Sequence, residues 1–206
     1  MATDQKHSIS VAAWHASVPV VERSHFRVQV GAKCSLGCQL TGHLITIRDH
    51  TDAQVTQGTL RKMSPDSASA LYEIDIALTA PSKTDVYSWS ATFASTESEL
   101  RHQVASAVFS FRVVKPPEHR VTVNAREKDT LTPLKHAEIQ LGIYRASTDE
   151  HGQAHFDVPT GAFELHFRKL GYETDVTDVT IENDTTLQVE ARHAPNPDPD
   201  EDQLWM

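Results

Sequence analysis

Tyr72-Glu-Ile-Asp-Ile-Ala-Leu78 puts Tyr72, Ile74, Ile76 and Leu78 on one side of an extended chain and Glu73 and Asp75 on the other. Successive side chains of a strand point to opposite faces, so this period of two reads as a strand with one core face and one wet face. The same reading extends outward in both directions. Upstream, Phe26/Val28/Val30 alternate with His25/Arg27/Gln29; downstream, Tyr87/Trp89/Ala91/Phe93 alternate with Ser88/Ser90/Thr92, and Ala107/Phe109/Phe111/Val113 with Val108/Ser110/Arg112. Strands at Ile9–Trp14, residues 43–49 and residues 53–62 bring the set to about seven. No segment carries a sustained 3.6-residue apolar stripe, and only residues 97–103 offer one short helical turn.

Short antiparallel strands at this density predict a two-sheet sandwich of immunoglobulin-like type over residues 1–114. Trp89 is expected in its core. The paired core cysteines of antibody domains are absent, because Cys34 and Cys38 sit together and no cysteine lies near Trp89. Apolar burial alone must hold this sandwich.

Lys115-Pro-Pro-Glu-His119 interrupts the alternation. Consecutive prolines cannot donate to a ladder, so residues 115–119 read as a short linker. Alternation then restarts over 120–192 in Val121/Val123/Ala125, Ile139/Leu141/Ile143, Ala154/Phe156/Val158, Phe163/Leu165/Phe167, Val179/Ile181 and Leu187/Val189/Ala191. Residues 193–206 lose the pattern and form an acidic, proline-rich tail ending Leu204-Trp205-Met206. The fold class expected is therefore all-β, with two sandwich domains in tandem.

The second domain carries Ala137-Glu-Ile-Gln-Leu-Gly142, Ser147-Thr-Asp-Glu-His-Gly152, Ala154, Phe156, Val158-Pro159, Gly161, Phe163, Leu165 and Gly171-Tyr172. This set resembles the carboxypeptidase regulatory-like domain over about residues 118–192, which implies a small transthyretin-like sandwich acting as a structural or binding module. Asp149 and Gly152 suit a turn needing side-chain capping and a positive φ. One transthyretin-like relative is a hydrolase, the hydroxyisourate hydrolase, marked by a Tyr-Arg-Gly-Ser ending and a His/Arg/His constellation. Here the chain ends Gln-Leu-Trp-Met, and Tyr144-Arg145 is followed by Ala-Ser in mid-chain, so no catalytic residue carries over.

Residues 1–114 hold 10 Lys+Arg and 10 Asp+Glu, whereas residues 115–206 hold 9 and 18, so the whole net charge of −9 lies in the second half. An acidic half repels phosphate backbones and anionic headgroups, which disfavours nucleic acid and membranes as partners. The longest uncharged runs contain Ser, His and Pro, and none spans a bilayer of ~20 apolar residues. The opening Met1–His7 lacks the basic-then-apolar layout of a signal peptide, so a cytoplasmic protein is expected. With 39% apolar residues the chain is neither disordered throughout nor a membrane protein.

Motifs of catalysis are missing: the chain has no Gly-x-Ser-x-Gly, no phosphate-cradling Gly-x-x-x-x-Gly-Lys, no His-Glu-x-x-His and no Gly-x-Gly-x-x-Gly. Cys34-Ser-Leu-Gly-Cys38 is open to three readings: two ordinary thiols, a local disulfide, or half of a metal site. A structural zinc needs four ligands and no second cysteine pair exists; His25 falls on the outer face and His43 shares a face with Ile45 and Ile47. A loop-stabilising role is favoured. Twelve histidines are dispersed, six in each half. If Thr160-Gly161 closes a two-residue hairpin, positions summing to 321 lie opposite each other, and His155 meets His166 on the outer face. Two imidazoles directly across strands could bind a divalent metal weakly; the bland reading of His155 and His166 is two solvated histidines, and no metal and no cofactor are assigned. Asp49/Asp52 and Asp149/Glu150 fall at turns, where capping explains them.

What remains for function is surface and tail. Asp198, Asp200, Glu201 and Asp202 followed by Leu204, Trp205 and Met206 join an electrostatic leash to a compact apolar anchor. The expected function is a non-catalytic accessory or assembly subunit that binds a partner protein through sandwich surfaces, open strand edges and this tail. The loops at 33–39 and 62–69 are further contact candidates. A small-molecule or carbohydrate-binding module is the alternative, with Trp14 and Tyr172 as the aromatics left over from the cores. A transthyretin-like hydrolase comes third.

Overall fold

The computed structural model describes residues 7–16, 18–62, 71–94 and 102–194. The expected helical turn at 97–103 lies mostly outside them, as do the loop residues from 63 on and the tail from 195 on. The protein is all-β: among the described residues every regular element is a strand. It divides into two compact units, Met1–Val114 and Lys115–Met206.

The first unit contains β1 (Ile9–Trp14), β2 (Val20–Val21), β3 (His25–Cys34), β4 (Leu44–Arg48), β5 (Gln54–Thr59), β6 (Arg61–Lys62), β7 (Leu71–Thr79), β8 (Val86–Phe93) and β9 (Ala105–Val114). One sheet runs β1-β3-β7-β6 and the other β2-β9-β8-β4-β5. This is the immunoglobulin-like arrangement, in which the first edge segment splits between the two sheets. Here β1 pairs antiparallel with β3, and the chain then crosses over so that β2 pairs parallel with β9. The expected single strand at 53–62 is two strands. Leu60, fully buried, turns the chain inward, so that β5 ends in one sheet and β6 starts in the other. Val28, Val30, Ile45, Ile47, Phe93 and Trp89 fill the core between the sheets. Phe111 anchors an aromatic cluster there, with Phe26 tilted against it at 4.7 Å and Trp89 edge to face at 5.0 Å between ring centroids.

The second unit contains β10 (His119–Glu127), β11 (Glu138–Leu141), β12 (Tyr144–Ser147), β13 (Gln153–Val158), β14 (Gly161–Arg168), β15 (Tyr172–Glu173), β16 (Thr177–Ile181) and β17 (Thr185–His193). Its sheets run β13-β10-β17-β15 and β12-β11-β14-β16, around Val121, Val123, Ile139, Leu141, Val158 and Ile181. Asp149 caps the turn before β13: its Oδ1 accepts the N–H of His151 at 2.8 Å and of Gln153 at 2.9 Å, and Gly152 takes φ +74°. Asp49 builds the same turn before β5, accepting from the Thr51 and Ala53 amides, with Asp52 at φ 66° in the glycine's place.

The hairpin expected around Thr160-Gly161 does not form. β13 and β14 lie in different sheets, and Pro159-Thr160 is a corner that carries the chain across the sandwich. Proline cannot donate to a ladder, and the Val158 carbonyl at the corner already accepts the Glu118 amide at 3.0 Å. Phe156 and Leu165 still point inward, but from opposite sheets. His155 therefore pairs with Thr122 and His166 with Gln140, which removes the His155/His166 pair.

Candidate functional site

Nitrogen and sulfur donors converge at one end of the first unit. β1 and β3 pair with Ile9 opposite Cys34, so the residue two positions before Ile9 runs past the end of β3. That residue is His7. The chain leaving β3 turns at Gly37 (φ 71°), where the Gly37 amide donates to the Cys34 carbonyl at 3.1 Å, and this brings Cys38 back over Cys34. From the other sheet, the segment entering β9 forms an isolated parallel bridge between His102 and His7, with the Gln103 amide donating to the His7 carbonyl at 2.9 Å. One donor atom each from His7, Cys34, Cys38 and His102 lie within 4.8 Å of one another. His7 Nδ1 is 3.0 Å from Cys38 Sγ and 3.9 Å from Cys34 Sγ.

Cys34 and His102 are buried, and His7 and Cys38 are half-buried. The His102 ring is met edge to face by His7 at 5.6 Å, His43 at 5.6 Å and Phe93 at 6.0 Å. His43 stacks on Phe93 at 5.4 Å and stands behind His102, outside the donor group. Burial pushes the Cys34 thiol up. The Cys38 and Leu36 amides, the Cys38 side chain and the Gly37 amide all act against it, and the net direction is below the ordinary thiol value. The two cysteines are not joined in a disulfide.

The residue pair Cys34/Cys38 was visible in the sequence, but the two histidines beside it were not. His25 faces outward and binds Thr79 Oγ1 at 3.2 Å. His155 Nδ1 lies 3.1 Å from Thr122 Oγ1 and His166 Nε2 lies 3.3 Å from Glu164 Oε2. The tail residues Asp198, Asp200, Glu201, Asp202, Leu204, Trp205 and Met206 lie outside the described residues.

A second feature of the first unit is a groove of about 620 Å³ on the outer face of β3 and β7, lined by Trp14 and by the crossover residues Ala16, Val18 and Val20. The Trp14 indole lies across β3, where Gly31 leaves room for it: a Cβ there would come within 3.1 Å of the ring. Trp14 Nε1 donates to Gln29 Oε1 at 2.6 Å. Arg27 and Asp75, paired at 2.8 Å, supply the polar wall, and the half-buried Phe26 contributes an aromatic edge from the core. Trp14 stays 39% exposed and Val18 65%, so apolar surface faces water here.

No family model matches this sequence, and no curated protein matches it. Among solved structures, the chain is similar to the major pilin subunit BcpA of Bacillus cereus at 10% identity, over 90% of this chain and 71% of that one, with a TM-score of 0.35. It is similar to a CARDB domain from Pyrococcus furiosus at 14% identity, over 53% of this chain and 97% of that one, with a TM-score of 0.38. It is also similar to fibronectin(III)-like modules of Clostridium thermocellum CbhA at 9% identity, over 85% and 94%, with a TM-score of 0.34. Likeness at this level carries no functional argument. The assignment of sandwiches rests on the strand pairing itself.

Proposed function

We propose that this chain is a non-catalytic accessory or assembly subunit that holds a partner protein, with the Trp14 groove as its receiving surface. The observation that carries this reading is the groove itself. Trp14 and Val18 are among the large apolar side chains this unit leaves exposed, and these two line a concavity of the size that takes a compact ligand or side-chain anchor. Indole rings beside an arginine are the residue types that dominate interface energetics. A second copy of the chain is the partner proposed, because one chain carries both halves: the groove, and the acidic segment with Leu204, Trp205 and Met206. For the second unit, we read the Asp149–Gly152 turn and the two four-stranded sheets as a carboxypeptidase regulatory-like module serving as a scaffold.

Sedimentation of the full chain over a wide concentration range tests the reading. Self-association that is lost on deleting residues 204–206, and equally lost in Trp14→Ser with the fold intact, is the expected result. A chain that stays monomeric throughout refutes it. The polar ring of Gln29, Arg27 and Asp75 beside a flat indole also favours a second reading, a carbohydrate or small-molecule module. Saturable glycan binding that disappears in Trp14→Ser, with no self-association, would put that reading first.

A further inference from the structure

We propose that His7, Cys34, Cys38 and His102 form a zinc site that staples the two sheets of the first unit. This inference stands apart from the partner-binding reading, since it uses none of the groove residues.

Two sulfurs and two imidazole nitrogens are the ligands of a closed, tetrahedral structural zinc centre, whereas magnesium and calcium take oxygen. With Zn–S near 2.3 Å and Zn–N near 2.0–2.1 Å, the donor–donor edges of such a tetrahedron are roughly 3.3–3.8 Å. His7 Nδ1 stands 3.0 Å from Cys38 Sγ and 3.9 Å from Cys34 Sγ, and no pair among the four exceeds 4.8 Å. No separation exceeds the ideal edge by more than about 1–1.5 Å, within the reach of side-chain rotation.

The backbone holds the four positions without help from an ion. The Gln103 amide binds the His7 carbonyl at 2.9 Å, the Ser35 amide binds the Ser8 carbonyl at 3.0 Å, and Gly37 closes the turn between the cysteines. His43 and Phe93 pack against the His102 ring and set its plane. Such outer partners orient ligands in known metal sites.

Competing readings use fewer of these residues. A Cys34–Cys38 disulfide would give both imidazoles no role, and a thiol–imidazole pair would use only His7 and Cys38, two of the four converging donors. Four protein ligands leave no position for substrate, so the role is structural. The site ties β1 and β3 to the segment entering β9. It thus joins the two sheets, as the inter-sheet disulfide does in antibody domains.

The test uses the full chain, expressed without a polyhistidine tag and kept reduced. Elemental analysis is expected to find close to one zinc per chain. The apo protein loaded with Co²⁺ alone should show thiolate-to-cobalt charge transfer and the intense d–d bands of a tetrahedral site. Cys38→Ser and His7→Gln, at the two half-buried positions, should weaken zinc binding on the order of 100-fold or more while circular dichroism keeps its β signature. His155→Gln and His166→Gln should leave it unchanged. Zinc well below one per chain after zinc loading, a cobalt spectrum without the thiolate band, or Cys38→Ser with unaltered affinity would each overturn the proposal.

Discussion

Replacing Gly152 by alanine is the sharpest local test of the second unit. Gly152 sits at φ +74°, a conformation that costs an L-residue roughly 1–2 kcal/mol. A Cβ there would lie 2.6 Å from the Ala125 carbonyl oxygen and 3.1 Å from the Leu134 nitrogen, both backbone atoms that have no rotamer to give. Relief requires the turn to lift from β10. That movement breaks the Ala125 N–H to Gly152 C=O bond of 2.8 Å and strains the Leu134 N–H to Ala125 C=O bond of 2.9 Å. At about 1 kcal/mol for each hydrogen bond, the loss totals about 3–4 kcal/mol with the conformational term. For a denaturant dependence near 1.5 kcal/mol/M, the urea midpoint should fall by about 2–2.7 M. Circular dichroism in urea measures the midpoint, and hydrogen exchange should place the loss in β10 and β13. Gly161→Ala is the internal control. Its Cβ would meet only the Phe163 ring, at 3.6 Å, so its effect should stay within about 1 kcal/mol. A Gly152→Ala protein within about 1 kcal/mol of the parent, or no worse than Gly161→Ala, would refute the reasoning.

The matching turn in the first unit predicts a change of opposite sign: Asp52 occupies φ 66°, and Asp52→Gly should raise stability by about 0.5–1 kcal/mol in urea unfolding. Acid should weaken both turns. The Gln153 amide, followed by that of His151, holds the Asp149 carboxyl below its usual range; the Thr51 hydroxyl, followed by the Thr51 and Ala53 amides, does the same for Asp49. A carboxylate depressed in the folded state stabilises above its unfolded pKa of about 4, and the contribution disappears as pH falls through the lower folded value. Asp149→Asn should therefore flatten the acid limb of the stability–pH curve, and an unchanged limb would show that the cap contributes nothing.

Periodicity along the chain stated a great deal about this protein. The alternation from Tyr72 to Leu78 and its counterparts told which side chains face a core, and the buried rows of β3, β8, β10 and β13 are those rows. Asp149 and Gly152 announced a capped turn because an Asx cap and a positive φ are local demands. Strand pairing is a different kind of fact. The expected hairpin at Thr160-Gly161 put Phe156 and Leu165 inward, and so does the observed corner, because a period of two cannot distinguish side-by-side strands from facing ones. Only the second arrangement separates His155 from His166.

The same distinction governs the donor cluster. Cys34 and Cys38 are neighbours through a four-residue turn, so the chain alone brings them together. His7 reaches them because β1 pairs with β3 in the register that sets Ile9 against Cys34, and His102 reaches them because the segment entering β9 bridges back to His7. Those contacts close loops of 31 and 95 residues, and no local preference of either histidine encodes them. Residue types and their spacing decided what each strand buries. Which distant donors share one end of the sandwich was decided by register and sheet order, because these are set by the packing of the whole unit.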